Sequence, residues 1–172
     1  ASGKAGKAAT AASGAAKDMS RAYEEAFKNQ EGATDSWYQH SIAAIEKEKQ
    51  LSINAMKAKG ATAQQIQDLE IGFLNATVKV REKVIKESID TYSEPLKAYS
   101  DSLKEMETLD DASFDAKLHS LNEYETAMIN QAKKVIGTEE LTQAEYDRIH
   151  SEIQKLRQNT VDVYEKGLKE QE

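Results

Sequence analysis

Three histidines, His40, His119 and His150, are the side chains best suited to proton transfer or metal binding. Each is followed by serine, but no Ser/His/Asp spacing can be read from them. The best metal candidate is Asp147-Arg148-Ile149-His150, where an acid and a histidine at i and i+3 share one helix face. Carboxylate-bridged di-iron bundles use such a pair twice, together with two further inward carboxylates. Here the second pair is missing, because Trp37 precedes His40 by three residues and Ala116 precedes His119. There is no cysteine, so no disulfide or zinc–thiolate site can form. Phosphate-cradling glycine loops of the Gly-x-Gly-x-x-Gly and Gly-x-x-x-x-Gly-Lys-Ser/Thr types are also absent. Lys79, Arg81, Lys83 and Lys86 form a basic patch, but Glu82 and Glu87 interrupt it, which suits a solvated, salt-bridged face better than nucleic acid. No catalytic, cofactor-binding or metal residue is assigned, no cofactor is expected, and the chain reads as a non-enzyme.

The elements that carry these residues read as helices throughout. Leu, Ile, Val and Phe make up only 18% of 172 residues and the net charge is −7, a composition close to that of disordered chains. Their regular helical spacing argues instead for a thin core of long helices with narrow apolar stripes. Such helices gain most of their stability from packing or self-association. Charge is uneven: +2 over residues 1–30, −1 over 31–90 and −8 over 91–172. That acidic second half disfavours nucleic acid and anionic membranes as partners. No run approaches the length of about 18 apolar residues that crosses a bilayer. No signal peptide is visible, and Ala1 in place of Met suits an internal piece of a longer chain.

Residues 1–16, rich in Ala, Gly and Ser, read as a flexible linker. A short helix is expected over residues 17–30, with Met19, Ala22, Tyr23, Ala26 and Phe27 on one face. Thr34 or Asp35 can cap the next helix, over residues 35–59. Its face is Trp37, Tyr38, Ile42, Ile45, Ile53 and Met56, with Lys49 where an apolar residue is expected. Ala44, Leu51, Ala55 and Ala58 form a second, weaker stripe. Gly60 then closes the helix, and Thr62 with Gln65 forms a capping box for its successor.

That successor carries Ile66, Leu69, Phe73, Ala76, Val80 and Val84, followed by the heptad seam Ile85, Ile89, Tyr92, Leu96, Tyr99, Leu103 and Met106. Tyr92 and Tyr99 are expected to pack in this seam. Pro95 lies inside it and predicts a kink near residues 92–94. Because the apolar phase continues past Pro95, one kinked helix over residues 63–108 is expected, with a fresh helix capped by Ser93 as the other possibility. Continuous, it would span roughly 70 Å at 1.5 Å per residue, giving an elongated molecule. After a turn capped by Asp110, Asp111 or Ser113, a helix carries Phe114, Leu118, Leu121, Glu125, Met128, Ala132 and Val135 at heptad steps. Gly137 closes it, and a Thr142–Glu145 box opens the last helix, with Tyr146, Ile149, Ile153, Leu156, Thr160 and Val163 in register.

The two turns look duplicated. His40-Ser41-Ile42 parallels His119-Ser120-Leu121, Ile53-Asn54 with Lys57 parallels Ile129-Asn130 with Lys133, Gly60 parallels Gly137, and Thr62 parallels Thr142. The expected architecture is therefore all-α: antiparallel helical hairpins with coiled-coil-like packing. A helical region over residues 17–172 would hold two related αα-hairpins, about 35–92 and 112–168.

The Ala/Gly/Ser-rich opening at residues 5–16, and the Lys- and Ala-rich, Gly-turn text of residues 53–66, resemble segments of phage tail tape-measure proteins. The likeness covers residues 35–172. It implies a structural role in setting tail length and in tail assembly. It also implies self-association or other tail proteins as partners, and a location in the virion or, during assembly, in the host cytoplasm. The hydrolase domains and membrane spans of some family members are not seen here. A spectrin-like or adaptor bundle, binding a partner around Trp37 or along Lys79–Lys86, is the alternative. A metal-dependent four-helix enzyme centred on His150 is a third.

Overall fold

The computed structural model describes residues 32, 34–137 and 140–171. Expectations for residues 1–30, both linker and first helix, fall outside these. The described residues form five helices and no strand: α1 (Asp35–Ala58), α2 (Ala63–Asp90), α3 (Ser93–Lys104), α4 (Asp111–Ile136) and α5 (Gln143–Glu170). The fold is all-α, as the periodicity predicts. The chain divides into two compact units after Val84, within α2.

In the first unit the helix ends follow the local sequence. Thr34 Oγ1 accepts from the Trp37 amide at 3.1 Å, so Thr34 is the cap. At the other end Gly60 adopts φ +79, and the amides of Gly60 and Ala61 donate to Lys57 O and Met56 O at 3.1 and 3.0 Å. These are the paired bonds of a Schellman motif, which satisfy two of the orphan carbonyls. The capping box forms as expected: Thr62 N donates to Gln65 Oε1 at 2.8 Å, and Gln65 N to Thr62 Oγ1 at 3.1 Å. The chain therefore reverses in four residues. Trp37 and Lys83, equally far from Gly60 in sequence, meet with the ammonium 4.7 Å from the ring centroid. Tyr38, Ile45, Ile53 and Met56 are buried on α1, and Leu69, Phe73, Ala76, Val80 and Val84 on α2.

The second stripe on α1 is a correction. Leu51 is 55% exposed, and Ala55 and Ala58 are exposed too. Alanine supports a helix through its propensity alone, so its presence does not require a covering partner. Ser41 and Ser52 are buried instead. Ser41 manages this by donating its hydroxyl to Trp37 O at 2.7 Å.

The expectation of one helix through residue 108 also needs correcting. α2 ends at Asp90, two turn residues follow, and α3 starts at Ser93 and ends at Lys104. Pro95 has no amide to donate to Thr91 O, and its ring crowds that carbonyl. Tyr92 N bonds Ile89 O at 3.0 Å, tightening the last turn, and Pro95 falls in the first turn of the new helix. Tyr92 is the cap position and makes no side-chain capping bond, so Ser93 does not cap α3.

In the second unit α3, α4 and α5 alternate in direction. Phe114 stacks on Tyr164 (4.1 Å, 8°) near one end of the α4–α5 pair, and Lys133 lies 5.6 Å from the Tyr146 ring near the other. These contacts make α4 and α5 antiparallel. Tyr92 meets Tyr124 edge-on at 6.0 Å, and the Lys117 ammonium lies 4.9 Å from Tyr99, so α3 is antiparallel to α4 as well. Leu103, Leu121, Met128, Ala132, Val135, Ile149 and Ile153 form the core. Thr160, also fully buried, shares its hydroxyl with Tyr99 Oη at 2.5 Å and donates to Leu156 O at 2.7 Å. Asp110 caps α4 and the Thr142–Glu145 box caps α5. Gly137 is itself the cap of α4, at φ +91. Gly167 lets the segment before α4 pass close by, since a Cβ there would sit 3.3 Å from Thr108 Cβ.

Candidate functional site

A half-buried polar cluster lies between α4 and α5. Glu125 occupies a heptad position otherwise held by apolar residues, and its side chain is 17% exposed. A carboxylate there must find cations. Arg157, 18% exposed, donates through Nη2 to Glu125 Oε2 at 2.8 Å and to Asn122 Oδ1 at 2.5 Å. His150 Nδ1 lies 2.6 Å from Glu125 Oε1, and Gln154 Oε1 receives Arg157 Nη1 at 3.4 Å. Burial pushes the Glu125 carboxyl upward. The hydrogen bonds and positive charges of Arg157 and His150 outweigh it and hold the group below the usual carboxylate range.

An acid orienting a histidine is half of a nucleophile-activating triad. The other half is not supplied: Ser151, beside His150, gives its hydroxyl to Arg148 O at 2.9 Å. The metal candidate separates as well. Asp147 accepts from Gln143 Nε2 at 2.8 Å while His150 turns to Glu125. Among the described residues no three His, Cys, Asp or Glu side chains converge as metal ligands. His40 is exposed, and His119 is exposed and lies 3.0 Å from Glu123 on its own helix. Geometry thus joins His150 to Glu125 and Arg157 and leaves the other two histidines apart. The signal for this cluster was visible in the sequence as a charge inside a heptad seam. Its partners were not, because they come from the next helix.

The basic patch does not act as one surface. Lys79 pairs with Glu82 at 3.3 Å, Arg81 is buried and Lys83 covers Trp37. Trp37 is half-buried beneath it. A cleft of about 480 Å³ lies between Met106, Leu109, Ser113 and Lys117. Its carboxylate, Asp110, is committed to capping: the amide and hydroxyl of Ser113 hold its pKa low.

Among the described residues, an apolar stripe on α2 stays exposed. Ile71, Leu74 and Val78, at i, i+3 and i+7 on α2, are 49%, 62% and 44% exposed. That spacing makes one continuous apolar stripe on the side of the helix away from the buried Leu69, Phe73 and Ala76. Among the described residues no helix is long and apolar enough to cross a membrane. No protein family, curated protein or solved structure matches this chain, so its site is characterised by its own geometry alone.

Proposed function

We propose that the chain is a non-enzymatic structural segment of a phage tail tape-measure protein, contributing to tail-length determination and tail assembly. The observation that carries this is the exposed Ile71–Leu74–Val78 stripe, a helix face of the kind that long helical assemblies bury against copies of themselves or neighbouring proteins. The sequence resemblance adds the class of assembly, with the virion or the host cytoplasm during assembly as its location. The adaptor alternative binds a partner around Trp37 or along Lys79–Lys86; Lys83 lies over the Trp37 ring and Lys79 pairs with Glu82, which weighs against both surfaces.

Sedimentation velocity with small-angle scattering on the full chain tests the proposal. The expected result is an elongated particle whose mass rises with concentration, with Leu74→Glu abolishing the rise. A compact monomer at every concentration refutes it.

A further inference from the structure

The exposed stripe on α2 reads nearly the same from either end. Ile71 and Val78 lie three and four residues to the two sides of Leu74, and all three are exposed. Asp68 and Lys79 lie six and five residues to the two sides. They are 11 residues apart, about three helical turns, so they share one flank of the stripe. Both stay exposed: Asp68 accepts from Gln64 Nε2 at 2.9 Å and Lys79 pairs with Glu82 at 3.3 Å, each along α2 itself. An acid therefore borders the N-terminal half of the stripe and a base the C-terminal half.

A two-fold contact is self-complementary: if one residue meets a second on the other copy, the second meets the first. With α2 antiparallel to its copy and the axis at Leu74, Ile71 faces Val78, Leu74 faces Leu74, and Asp68 faces Lys79 on both sides of the axis. A parallel pair instead sets Asp68 level with Asp68 and Lys79 level with Lys79. On the reading of this stripe as an assembly face, we propose that its occupant is a second copy of this chain, with the two α2 helices antiparallel about Leu74. The apolar stripe supplies the attraction, and the flanking charges select the direction.

Sedimentation of charge variants of the full chain tests this. Asp68→Lys or Lys79→Asp alone sets like charges together at both pairs and should weaken association about tenfold. Mixing the two variants makes both pairs opposite again, so the mixture should associate as the parent chain does. Spin labels report the direction, because the chain has no cysteine of its own. Asn75→Cys and Gln64→Cys carry them at exposed positions. Labels at position 75 should lie side by side in the dimer and broaden each other's spectra. Labels at position 64 should lie about 30 Å apart along the helices, at 1.5 Å per residue. Close approach at both positions, or a mixture that associates no more tightly than its two components, overturns the antiparallel pairing and leaves self-association standing. A parent chain that stays monomeric at every concentration overturns both.

Discussion

Replacing Gly60 tests whether the first reversal is set by backbone conformation. At φ +79 any L residue crowds its Cβ against its own carbonyl, at a cost of about 1–2 kcal/mol. A Cβ built there meets nothing within 4 Å, so no packing term adds to this. Removing glycine also lowers the entropy of the unfolded chain, which offsets about 0.4–1 kcal/mol. Gly60→Ala should therefore destabilise by about 1 kcal/mol. Gly60→Val should lose more, about 2 kcal/mol, because a β-branched residue is a true outlier at positive φ. Gly60→Asn should be nearly silent, since asparagine tolerates this region. For a chain of this size, 1 kcal/mol moves Tm by about 2–4 °C. Urea melts of the three variants, followed by circular dichroism, should rank Asn above Ala above Val. Equal midpoints for Val and the parent would refute the argument that the Schellman turn holds the reversal. A large loss for Asn would mean that the empty space around Gly60 has been misjudged.

Further predictions concern the second unit. The Glu125 carboxyl titrates lower when folded than unfolded, so its contribution is complete above the ordinary carboxylate range and is lost as pH falls through the lowered value. Glu125→Gln should flatten the stability–pH profile on the acid side. An unaltered acid limb would contradict the ion-pair assignment. Thr142→Ala removes the bond to Glu145 N and should cost about 1 kcal/mol in a denaturant melt. Tyr99→Phe and Thr160→Val should each destabilise, with a coupling in the double-mutant cycle of about 0.5–1.5 kcal/mol. A cycle that closes at zero would show that the two hydroxyls do not depend on each other.

Much of this molecule was legible locally. A capping box, a Schellman glycine and a proline act within a few residues, and each acts here where its spacing predicts. Tyr99 and Tyr92 pack, as their heptad positions require. Elsewhere local signals compete. The apolar phase running through Pro95 favoured one helix, yet a missing amide and a steric clash act on the backbone directly and broke it. The alanine stripe on α1 looked like a second interface because alanine is both a helix former and a small apolar residue. Buried Ser41 gave no apolar signal, because its hydroxyl is satisfied by the helix's own carbonyl.

By itself the sequence determined the helical periods, the caps and the two glycine reversals, since these depend on contacts a few residues apart. It also showed a carboxylate, Glu125, where a heptad expects an apolar side chain. Only the tertiary structure decided what that carboxylate meets. Arg157 and His150 reach it from another helix, at a register set by the turn between them and by packing along the whole α4–α5 pair. The same is true of the stripe at Ile71, Leu74 and Val78. Its spacing is written in the chain, but its exposure follows from which other faces of α2 are buried, a choice that only side-chain packing in three dimensions makes.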